Sequence, residues 1–250
     1  MSIEENLHEY WDIFAKNYSK RVGYELTVYQ KDTWLETLGE IADTNQVLDV
    51  LDVGTGPGFL TLLFAELGHR SVGVDFSQEM LTLAEKNAAE QNLECKFVCS
   101  DAMKLPFEDN SFDMVINRHL LWALVDPAKA VMEWKRVLKP GGKLVIMDGA
   151  WDTDDQTIVD KARKALGNLL IMLRRRSFKA RTNERFRALY KHLPYRGADD
   201  EKIGQLMKIS GLGMIRTHDI SRLILADLCG RSFGHRLIYN YKRYIVIGEK

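Results

Sequence analysis

The residues best suited to chemistry stand together at Asp52-Val53-Gly54-Thr55-Gly56-Pro57-Gly58, where an apolar run from Val47 to Val53 meets glycines at alternate positions. Glycine accepts backbone angles that other residues resist, and without a Cβ it lets a ligand approach the main chain closely. A dinucleotide-binding turn needs a third glycine where this chain has Phe59. Asp52 adds a negative charge that would repel a pyrophosphate but can accept hydrogen bonds from a cation. The pattern therefore asks for a nucleoside cofactor with a positive end and no phosphate, and S-adenosyl-L-methionine, with its ammonium and sulfonium, has that chemistry. Two more acids follow. Asp75 closes Ser71-Val72-Gly73-Val74, where a carboxylate can accept from both ribose hydroxyls, and Phe76 beside it offers a ring to an adenine. Asp101, followed by Ala102 and Met103, can accept from the adenine amino group. The three carboxylates are expected to converge on one crevice.

The elements that must position these groups alternate in type. Strands are expected at 47–53, 71–75, 95–99, 112–116 and 143–148, with helical periodicity between them, which predicts a parallel sheet covered on both faces. Ser77 has the character of a helix cap ahead of Met80, Leu81 and Ala84. Lys139-Pro140-Gly141-Gly142 stops the helix that carries Ala130, Val131 and Trp134, a structural role. Past Asp148 the alternation breaks. Thr153 or Asp154 can cap a helix carrying Ile158, Ala162, Ala165, Leu169 and Met172 on one stripe, and a second short helix carries Phe186, Leu189, Tyr190 and Leu193. Residues 199–209 read as a core helix, and strands near 214–220 and 244–248 as a closing hairpin.

Taken in order, Asp52 to Gly58, Gly73-Val74-Asp75, Asp101-Ala102, Leu105-Pro106-Phe107 with Ser111-Phe112-Asp113, and Arg136 to Gly142 resemble the motifs of the class I S-adenosylmethionine-dependent methyltransferases, of the small-molecule kind called methyltransferase type 11. The resemblance covers 46–148. It implies an α/β, Rossmann-like seven-stranded sheet, mostly parallel with the last strand antiparallel, and transfer of a methyl group to a small molecule with S-adenosyl-L-homocysteine as product. One domain is expected: an N-terminal helical lid (1–45), the cofactor-binding core (46–148), an inserted helical basic lid (149–198) and the completion of the sheet (199–250). In similar proteins the N-terminal segment covers the cofactor, which makes Tyr18 a candidate for its methionine end. The cofactor set then comprises Tyr18, Asp52, Gly54, Thr55, Gly56, Gly58, Asp75, Phe76, Met80, Asp101, Ala102, Met103 and Asn117, the last through its backbone carbonyl.

Methyl transfer is an in-line displacement that mainly requires alignment and exclusion of water, with a base only for a protonated acceptor. His119, just past the strand 112–116, is the candidate base, or else a wall of the cofactor pocket. Arg118 suits an anionic substrate or a helix end, Trp122 the floor of the acceptor pocket or the core, and Asp148 a contact at the same crevice edge. The other functional readings are a nicotinamide-dependent dehydrogenase and a cofactor-binding scaffold without catalysis.

Net charge is zero, but residues 1–148 carry 14 basic and 24 acidic groups and residues 149–250 carry 21 and 11. Between Lys161 and Arg196, 12 basic residues face the single acid Glu184, so Arg175 and Arg176 are candidates for gathering an anionic acceptor, against a solvated or dimer-forming face. Nucleic acid ranks below both, since no aromatic residues alternate with the arginines. The odd count of 3 cysteines points to reduced core thiols rather than a disulfide or a metal site. Without a leader-like start or a long apolar run, a cytoplasmic protein with no membrane span is expected.

Overall fold

The computed structural model describes residues 30–150, 157–175, 193–195, 197–230, 232–238 and 242–250. Tyr18, Thr153, Asp154, Arg176, Phe186, Leu189 and Tyr190 lie outside them. The chain folds as α1 (Lys31–Ala42), β1 (Asp49–Val53), α2 (Phe59–Glu66), β2 (Arg70–Asp75), α3 (Gln78–Glu90), β3 (Lys96–Cys99), β4 (Phe112–Arg118), α4 (Pro127–Val137), β5 (Leu138–Gly149), α5 (Ile158–Arg175), α6 (Asp200–Ile209), β6 (Gly213–His218), α7 (Ser221–Gly230), α8 (Phe233–Ile238) and β7 (Arg243–Glu249). The 7-stranded sheet has the order β3-β2-β1-β4-β5-β7-β6. Pairing is parallel from β3 to β5, and β7 runs antiparallel to both β5 and β6.

Central strands buried on both faces explain the apolar runs Met114–Ile116 in β4 and Leu144–Met147 in β5. One core joins the sheet to α4 and α6 through Trp134, Val131, Ile203 and Met207, and the other joins it to α1 and α2 through Leu38, Ile41, Leu60 and Phe64. The helices start where short polar side chains cap them: Ser77 Oγ accepts from Met80 N, Asp126 from Lys129 N and Asp199 from Lys202 N. At the N-terminal ends of the strands, Lys139 Nζ donates to Asp113 at 2.9 Å and Asp49 at 3.0 Å. The Asp113 and Lys139 motif residues therefore brace the end of the sheet away from the glycine turn.

Three features differ from expectation, and a fourth, the direction of the α5 stripe, was left open by it. The last two strands do not form a simple hairpin, because α7 and α8 intervene between them. The cap of α5 is Thr157, whose hydroxyl accepts from Asp160 N while the Asp160 carboxylate accepts from Thr157 N and Oγ1, a reciprocal box. The stripe on α5 faces outward. Gly167 is instead the buried residue, pressed against Gly234 of α8. Finally, Cys99 and Cys229 are exposed, and only Cys95 is half-buried.

Candidate active site

The glycine turn sits between the C-terminal end of β1 and the start of α2. Gly54, Gly56 and Gly58 all have positive φ, at 72°, 54° and 90°. Gly54 N and Thr55 N both donate to Val74 O, so the turn is fastened to β2. Asp75, at the end of β2, completes the fastening. Its Oδ2 accepts from Gly56 N at 2.8 Å and its Oδ1 from Ser77 N at 3.0 Å, which points the carboxylate along the mouth of a cavity.

That cavity is walled by Gly54, Gly56, Asp75, Phe76, Met80, Asp101, Ala102 and Met103 from the expected cofactor set, together with Arg118 and His119. The Asp101 loop is rigid for two reasons. Asp101 Oδ1 accepts from Met103 N at 2.8 Å, and the indole of the fully buried Trp134 donates to Ala102 O at 2.9 Å. The wall is thus a chain of backbone approach, carboxylate, ring and carboxylate. A ligand whose hydroxyls and amino group donate, and that has no phosphate, matches those acceptors.

Other expected residues lie behind the wall. Asp52 does not join Asp75 and Asp101 on it: its Oδ2 accepts from Thr61 N at 3.1 Å and Thr61 Oγ1 at 2.9 Å. The open donors of the first turn of α2 capture the carboxylate, and Thr55 Oγ1 lies 2.8 Å from Thr61 Oγ1 in the same cluster. Burial pushes the Asp52 carboxyl up to about 6, opposed by hydrogen bonds from Thr55 and Thr61. Gly58 packs near Ala84 of α3. Asn117 is fully buried in β4, and neither of its side-chain amide atoms has a hydrogen-bond partner. Trp122 is also buried, in a short turn after β4.

A second cavity shares Arg118 and His119 with the first and continues past them toward Trp34, Asp148, Leu223 and Tyr244. Its far end holds a pair that sequence reading missed. Asp227 of α7 and Arg243 of β7 are 2.6 Å apart, and Gln30 Nε2 donates to the same carboxylate. Only the fold brings these residues together, since they belong to segments far apart in the chain. At the junction, the Arg118 guanidinium lies 4.2 Å from the Phe59 ring centroid and 5.0 Å from that of Trp34. His119 is held in the left-handed region (φ 59°), its N–H donates to Met147 O, and its Nδ1 lies 3.4 Å from Asp148 Oδ1. Burial raises the Asp148 carboxyl to about 8, against opposing hydrogen bonds from the backbone N–H groups of Gly149 and Trp122.

A sequence profile described as "Methyltransferase domain" matches residues 51–146. The chain is 41% identical over 101 residues to the demethylmenaquinone methyltransferase of Thermus thermophilus, a match that spans 40% of this chain and 46% of that protein. It is 34% identical over 188 residues to an uncharacterized protein of Haemophilus influenzae, covering 73% of this chain and 70% of that one. Among solved structures, phosphoethanolamine N-methyltransferase 2 of Haemonchus contortus superposes with a TM-score of 0.66 at 18% identity over 100% of this chain and 60% of that one, a likeness of fold. The glycine turn, the Asp75 and Asp101 walls and the sheet order agree with these matches and remove the nicotinamide-dependent dehydrogenase from consideration. The chain belongs to the class I S-adenosylmethionine-dependent methyltransferases.

Proposed function

We propose that the protein binds S-adenosyl-L-methionine in the larger cavity and methylates in the smaller one a small aromatic acceptor bearing a hydroxyl, a quinol such as the reduced form of the quinone in the Thermus relative's name. The observation that carries this reading is the junction: Arg118 and His119 border both cavities, so an acceptor on one side meets the cofactor's reactive end across these two side chains. Asp75 would accept from the ribose hydroxyls, Phe76 would cover the adenine and Asp101 would accept from its amino group. When bound, the cofactor supplies an electrophilic methyl on a positively charged sulfur.

The residues of this chain do the rest. With Asp148 ionised, its carboxylate accepts from His119 Nδ1–H, which makes Nε2 the ring nitrogen that takes a proton from an acceptor hydroxyl. Arg118, fixed over two rings, stabilises the resulting oxyanion, so the acceptor is anionic in the site whatever its charge in solution. Trp34, Leu223 and Tyr244 exclude water from the acceptor's ring. The test has two parts. Calorimetry should detect S-adenosyl-L-homocysteine binding, and a methyl-labelled cofactor should transfer label to reduced naphthoquinols. Binding without transfer to any hydroxylated aromatic would leave the cofactor site and reject the acceptor class.

A further inference from the structure

The apolar stripe that the sequence places on α5 faces outward. Ile158, Val159, Leu166, Leu169 and Leu173 are between 47% and 86% exposed, and Ala162 and Ala165 between them are exposed as well. At 100° per residue these positions make one continuous band about a third of the helix's circumference wide. The opposite side, with Gly167, Leu170 and Ile171, is occupied by α8. A third sector, bordering the apolar band, carries Lys161, Lys164 and Asn168. The sole acid of the helix, Asp160, is already engaged by Arg163 at 3.0 Å and by Thr157. The helix ends in Arg174-Arg175, and the sequence continues with Arg176.

We propose that α5 is a membrane-docking helix, which lies in the interface of an anionic bilayer with its apolar band among the acyl chains and its basic border at the phosphates. A band of large exposed apolar residues beside lysines is the pattern of helices that lie in a bilayer surface rather than cross it. Among the described residues no helix is long and apolar enough to cross a membrane. Charge selects the occupant. In an antiparallel pair of α5 helices about a twofold axis, the lysine border of one copy would face that of the other, whereas an anionic lipid surface complements it.

The test is sedimentation of the full chain with phosphatidylcholine vesicles containing about a third phosphatidylglycerol, against vesicles of phosphatidylcholine alone. The expected result is binding to the anionic vesicles that falls as salt is raised. It should weaken at least tenfold in Leu166→Asp/Leu169→Asp and severalfold in Lys161→Ala/Lys164→Ala, with circular dichroism and S-adenosyl-L-homocysteine affinity unchanged in both. These four side chains are distant in sequence from every residue of the cofactor wall, so a failure here leaves the methyl-transfer reading standing. Absence of binding by the parent chain, or binding indifferent to the leucine changes, would overturn the proposal. A parent dimer that Leu166→Asp/Leu169→Asp dissociates, with no vesicle binding, would overturn it in favour of a second copy.

Discussion

Asp75 and Asp148 show how one residue type serves opposite ends. Asp75 is stitched to the glycine turn and lines the larger cavity, so Asp75→Ala should weaken S-adenosyl-L-homocysteine binding by about 1.5–3 kcal/mol, roughly ten- to hundredfold by calorimetry. Asp75→Asn, which retains an acceptor oxygen, should lose less. Asp148 predicts a pH dependence. Its folded value of about 8 exceeds the ordinary 3.8, so the folded chain holds a proton that the unfolded chain releases. Its contribution to stability is therefore full below 3.8 and is lost as pH rises through about 8. Asp148→Asn should raise the melting temperature relative to the parent at pH 8.5 and not at pH 4. If His119 is the base we propose, the same change should remove a rise in kcat/KM centred near pH 8, because the ionised carboxylate is what would orient it. Much of this was legible in residue types: acids after β2 and β3, and histidine after β4. Asp52 was not, because no spacing rule says whether an acid will turn to a ligand or to the open N–H groups of the next helix.

Among the elements, the strand-helix alternation from β1 to β5 could be read because each piece obeys a simple period, and α3 and α4 carry their own caps in Ser77 and Asp126. α7 and α8 could not. They are short and weakly patterned, and they share a linker that the sequence presents as an approach to the last strand. For α5 the period was correct and the direction of the stripe was not legible, since periodicity identifies an apolar face without saying what covers it. The true packing signal was Gly167. A Cβ there would lie 2.7 Å from the Gly234 carbonyl oxygen and 2.8 Å from Ile238 Cγ1, so the two helices would have to separate. Gly167→Ala should cost about 1–3 kcal/mol from this overpacking, more than the roughly 0.5–1 kcal/mol that alanine returns in a helix. The checks are a lower urea midpoint and faster proteolysis near α8, with cofactor affinity unchanged.

For the whole molecule, the expected function ties ligand to stability. The larger cavity is walled by loops after β1, β2, β3 and β4, so a ligand there joins four strands and should stabilise the domain as a unit. At a hundredfold excess over Kd, S-adenosyl-L-homocysteine should add about 2.7 kcal/mol and raise Tm by roughly 5–10 °C, whereas NAD should leave it unmoved in a thermal melt. The strand order carries a consequence in time. β7 lies between β5 and β6 yet is made after both, and β6 pairs only with β7. While the chain is being synthesised, β5 therefore waits with one edge bare, and β6 has no neighbour to join, until Arg243–Glu249 emerges and threads the gap. A nascent chain stalled anywhere from β5 to α8 displays a long apolar edge, the kind of surface that recruits chaperones or pairs with another stalled chain.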